Sequence, residues 1–102
     1  MDASFHRELP REEIADFCRR HGIRRLSLFG SVLRDDFGPE SDIDVLVEFD
    51  PENTPGLSFF AMESDLSRLL GRRVDLNTPL FLSKGFRDRV LAESEVLYDA
   101  AR

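Results

Sequence analysis

The chain has 102 residues, a formal net charge of −6, 41% hydrophobic and 33% charged residues, and a single cysteine. That length supports one hydrophobic core, so a single domain over 1–102 is expected, and the composition is too apolar for a disordered chain. No apolar run approaches the ~20 residues of a membrane span, Cys18 alone cannot build a disulfide framework or a Cys-based zinc site, and the acidic balance argues against general nucleic-acid binding.

The N-terminal "MDASFHRELPREE" lacks the apolar core of a secretory signal, which leads to an expected cytoplasmic location. From Arg11 onward Ile14, Phe17 and Cys18 fall at i, i+3, i+4, the stripe of a helix. Pro10 suits its entry, Glu12 and Glu13 its positive end, and His21-Gly22 its exit, so the helix runs from Arg11 to His21. Cys18 is then a core thiol. "IRRLSLF" is a strand that Gly30-Ser31 breaks, and "SVLRDDF" a short helical segment before the turn "GPES".

"DIDVLVEF" forms the second strand, ended by the breaker-rich "DPENTPG". A helix to Gly71 follows, with Leu57, Phe60, Ala61, Ser64, Leu66, Leu69 and Leu70 expected on its apolar side. "RRVDLNT" is the third strand. Ser83 to Glu93 is helical with Phe86, Val90 and Leu91 expected inward, and "EVLYDA" is a short terminal strand or tail. Helices alternating with strands imply an α/β (α+β) fold, a small mixed sheet of three to four strands packed with helices.

Within "SDIDVLV", Asp42 and Asp44 share one side of the pleat, while Ile43, Val45 and Val47 take the other. Packing alone does not favour two carboxylates beside a core strand, because their desolvation is costly without a cation. Asp75, between Val74 and Leu76, can join them if strands two and three are neighbours. Such a cup of hard oxygen ligands suits Mg²⁺ or Mn²⁺, and it can hold two ions that clamp the oxygens of a phosphoryl transfer. Pairing of these aspartates with Arg24, Arg25 or Arg73 is the structural alternative. Gly30-Ser31, between a strand and a helical segment, has the form of a phosphate seat. Arg34 and Arg73 are candidates for phosphate contact or for bracing the carboxylates.

"GSVLRDDFGPESDID" matches the G-S-x10-D-x-D signature of the DNA polymerase β-type nucleotidyltransferase superfamily, and "LFGSVLR" with "SDIDVLVEF" resembles its minimal nucleotidyltransferase (MNT) branch. The resemblance spans nearly the whole chain and implies the catalytic palm of that superfamily. It implies that Gly30 and Ser31 hold the phosphates of ATP, that Asp42 and Asp44 bind two divalent ions, and that Asp75 is the third ligand and activates the acceptor hydroxyl. Asp35 departs from the pattern, since members often carry glycine there. Stand-alone members of this size are often antitoxins paired with a HEPN-domain ribonuclease toxin, and some transfer AMP to a tyrosine of that toxin. The resemblance therefore implies an AMP-transferring antitoxin with a HEPN partner. The alternatives are an antitoxin acting by binding alone, or an enzyme modifying a small molecule or an RNA end.

Overall fold

The computed structural model describes residues 9–33, 38, 41–50, 52, 55–79 and 82–101. Helix α1 spans Arg11–His21, strand β1 Ile23–Phe29, a 3-10 turn Gly30–Leu33, β2 Ile43–Phe49, α2 Ser58–Leu70, β3 Val74–Asn77, α3 Lys84–Glu93 and β4 Glu95–Asp99. The first helix and first strand have the bounds read from the sequence. Glu12 and Glu13 occupy the positive end of α1, and Gly22 closes it at φ 69°, donating its N–H to the Cys18 carbonyl.

The strands form one mixed sheet in the order β3-β2-β1-β4. β1 is antiparallel to both β2 and β4, whereas β2 and β3 are parallel and joined through α2. Parallel neighbours need such a crossover, and the breaker-rich loop followed by thirteen helical residues supplies it. "EVLYDA" resolves as a strand, with Tyr98 opposite Leu26.

Alternation along the strands divides the apolar residues between the two faces. Leu26, Leu28, Ile43, Val45, Val47, Val74 and Leu76 are all buried, with Ile14 and Phe17 of α1 and Phe59, Met62 and Leu66 of α2, in the main core. The opposite face carries a smaller cluster, in which Phe29 and Leu46 pack under Val90 of α3 with Leu82 at its margin. Cys18 is fully buried in the main core, and this desolvation pushes its thiol up to about 12 against a partial opposing pull from Arg19. No helix among the described residues is long and apolar enough to cross a membrane.

Two helix faces depart from the sequence expectation. In α2 the buried residues are Phe59, Met62 and Leu66, while Leu57 and Phe60 are 87% and 67% exposed. The run from Leu57 to Met62 is almost continuously apolar and carries no phase of its own. The phase is set by Glu63 and Ser67, which must face the edge of the sheet. There the Val74 amide donates to Ser67 Oγ at 3.0 Å and the Leu76 amide to Glu63 Oε2 at 2.9 Å. In α3 only Val90 is buried; Phe86 and Leu91 are 47% and 40% exposed because the small second cluster offers α3 a narrow contact.

Candidate active site

β1 and β2 are paired so that Phe29 lies opposite Asp44, and the chain turns immediately after at Gly30. Gly30 has φ 75°, a left-handed conformation that glycine adopts without penalty. A Cβ placed on it would lie 2.2 Å from Asp44 Oδ2, 3.1 Å from Cγ and 3.3 Å from Cβ. The glycine thus serves a positive φ and a close approach at the same position. Ser31 continues the turn, but its side chain, and all of Arg34, lie outside the described residues.

Parallel pairing of β2 and β3 places Asp44 opposite Asp75 in register. Register partners share a face, so both carboxylates lie on the side opposite the main core. Asp44 is partly buried beside the second cluster, and Asp75 is exposed at the sheet's edge. Asp42 precedes β2 on the same side of the pleat, and its Oδ1 is 4.0 Å from Arg73 Nη1. That pair is exposed and stabilises little, ~0–1 kcal/mol. Arg25, another candidate partner for these aspartates, instead contacts Asp99 at 3.3 Å and Glu48 at 3.5 Å.

The segment leading into β2 is tied down from β3's side. Arg72 donates from Nη2 to the Gly38 carbonyl at 2.6 Å and the Ser41 carbonyl at 2.9 Å, and the Ser41 amide donates back to the Gly38 carbonyl at 3.1 Å. Arg87 does similar work before α3, donating to the carbonyls of Pro79 at 2.8 Å and Leu82 at 3.1 Å. Both arginines satisfy backbone acceptors that strands and helices leave open.

A cavity of about 400 Å³ opens between the end of β1 and α3, lined by Phe29, Gly30, Leu33, Asp44, Phe86, Arg89, Val90 and Glu93. Its size is within the range of small-molecule sites. It gathers Gly30 and Asp44 but not Asp42 or Asp75, which lie along the neighbouring strand ends. The sequence reading missed Phe86, Arg89 and Glu93 as lining residues. Their spacing, i, i+3, i+7, was the available signal, but only the sheet topology reveals which face α3 turns to the cavity.

Among the described residues, no three His, Cys, Asp or Glu side chains converge as a set that could hold a metal ion. The donors themselves fit a hard divalent cation, since Asp42, Asp44 and Asp75 offer only carboxylate oxygens on one side of adjacent strands. The chemistry open to the arrangement is polyanion binding near Gly30 with oxygen ligands alongside.

A model of the nucleotidyltransferase domain family matches residues 11–98. The protein adenylyltransferase MntA of Thermococcus cleftensis is 41% identical over 75 residues, covering 72% of this chain and 74% of its own. A structure assigned as a minimal nucleotidyltransferase superposes with a TM-score of 0.74 at 37% identity, covering 92% of this chain and 94% of that one. The structure of a tri-AMPylated Shewanella oneidensis HEPN toxin in complex with MNT antitoxin matches with a TM-score of 0.63 at 21% identity, over 87% of this chain and 69% of that one, a likeness of fold.

Proposed function

Since the chain belongs to the nucleotidyltransferase domain family, we propose that it is a protein adenylyltransferase that moves AMP from ATP to a tyrosine of a cognate HEPN ribonuclease toxin, and so acts as its antitoxin. The observation that carries this reading is the register of Asp44 with Asp75 beside a left-handed Gly30 pressed against Asp44. The MntA relative is named a protein adenylyltransferase, and the MNT antitoxin of similar fold is bound to a tri-AMPylated HEPN toxin; both support the choice of reaction and acceptor.

Gly30 lets the backbone approach the nucleotide's phosphates, and Ser31 follows it in the same turn. Asp42, Asp44 and Asp75 are the residues that would hold Mg²⁺ or Mn²⁺, two ions in the full site, which when bound neutralise phosphate charge and align the attacking and leaving oxygens. Asp75, exposed at the sheet's edge, accepts the proton of the tyrosine hydroxyl. The phenolic oxygen then bonds to the α-phosphorus in line with the α–β bridging oxygen, that bond breaks, and pyrophosphate leaves. Asp44, partly buried and fixed between Phe29 and Gly30, is the rigid member of the acidic set.

Intact-mass spectrometry of the toxin after incubation with this protein, ATP and Mg²⁺ tests the proposal. Addition of one or more adenylyl groups, abolished by D42A/D44A, is the expected result. An unmodified toxin that both wild type and D42A/D44A still inhibit would replace transfer by binding alone.

A further inference from the structure

We propose that Arg89 grips the β,γ portion of the nucleotide's triphosphate from the α3 wall of the cavity. This rests on the reading of the cavity as the nucleotide site. Three charged side chains are among the described residues lining it: Asp44, Glu93 and Arg89. Beside the divalent ions, positive charge on the wall favours a polyanion that enters between two carboxylates, and Arg89 is the one cation among the described residues lining the cavity. Of the neighbouring arginines, Arg72 and Arg87 are engaged with backbone carbonyls, and Arg73, in a weak exposed pair with Asp42, does not line the cavity. Arg89 is exposed and forms no ion pair among the described residues.

Its placement is set by its helix. Val90, the next residue, is buried against Phe29 and Leu46 and anchors α3 on the sheet. Arg87 fastens the start of the helix to the preceding loop. The guanidinium therefore extends from a fixed backbone on the same wall as Phe86, one turn earlier. Its planar fork suits two phosphate oxygens at once, which an ammonium cannot match.

Calorimetric titration of the whole chain with ATP and Mg²⁺ tests this without an acceptor. R89A should weaken binding on the order of tenfold to a hundredfold, the worth of a charge-assisted contact. R89K should be intermediate, and R24A, removing an exposed β1 charge outside the cavity, should bind as wild type does. With the toxin present, R89A should raise KM for ATP more than it lowers kcat. Because Arg89 is exposed, its removal should leave the thermal transition in place. R89A with wild-type affinity, or an equal loss in R24A, would overturn the assignment. A wild type that binds ATP but leaves the toxin unmodified, with binding lost in R89A, would overturn the toxin as acceptor and support Arg89. A wild type that does not bind ATP would overturn both.

Discussion

Replacing Gly30 by alanine is the most direct perturbation of the site, because the cost has two separable parts. A non-glycine residue at φ 75° bears the left-handed penalty of ~1–2 kcal/mol. The new Cβ also meets Asp44. Rotation of that carboxylate moves Oδ2 out of a 2.2 Å approach, but Cγ at 3.1 Å and Cβ at 3.3 Å stay too close, so β1's end and β2 must separate slightly. Overpacking of that kind costs ~1–3 kcal/mol, for a total of roughly 2–5 kcal/mol. Set against a domain stability of ~5–15 kcal/mol, the variant should fold but unfold at clearly lower urea. In an Asp44→Ala background most of the contact cost disappears, and Gly30→Ala should then cost only ~1–2 kcal/mol. Equilibrium urea unfolding of the four proteins in this cycle measures both parts. Adenylyl transfer by Gly30→Ala should fall several-fold, since Asp44 must give by a few tenths of an ångström. A wild-type urea midpoint, or the same cost in both backgrounds, would refute the argument.

Mg²⁺ should raise the melting temperature of the wild type, with ~2.7 kcal/mol expected at a hundredfold excess over its dissociation constant, and Asp44→Asn should lose most of that gain in differential scanning calorimetry. Arg72→Ala removes the bonds to the Gly38 and Ser41 carbonyls; it should destabilise by ~1.5–3 kcal/mol in urea and raise KM for ATP by loosening the approach to Asp42. The Cys18 thiol, raised to about 12 by burial, should resist iodoacetamide at pH 8 until urea unfolds the chain. Because the folded state holds this proton more tightly than the unfolded one, the Cys18 contribution is complete below the unfolded pKa near 9 and is lost as pH rises toward 12, which urea titrations across that range will read.

The elements of this fold were legible where local chemistry marks their ends. Pro10, His21-Gly22 and Gly71 delimit helices whatever the rest of the chain does, and period-two alternation placed Asp44 and Asp75 on a common face once β2 and β3 proved to be neighbours. The phase of α2 was not legible, because Leu57 to Met62 is apolar almost throughout and the deciding groups are the edge amides of Val74 and Leu76. Nor was the role of α3's outward face. Phe86 resembles a core residue by type, and only the narrowness of the second cluster leaves it beside the cavity with Arg89. Arg72 is similar: its partners are backbone carbonyls more than thirty positions away, for which no side-chain pattern exists.

The two amides of β3 that turn away from β2 end on side chains of α2, and Ser67 Oγ in turn donates to the Glu63 carbonyl at 2.8 Å. Their protection against solvent exchange is therefore a property of the helix. Fraying of α2 frees Val74 and Leu76 in the same event, which makes β2's parallel neighbour and the crossover helix one cooperative opening unit. Strand addition at that edge is also blocked while the helix is formed, because the hydrogen-bond donors that an incoming strand needs are already taken. Asp75 lies between these two amides. Its alignment with Asp44 is thus governed by a helix on the far side of the sheet, and substitutions along α2 can tune the site without touching it.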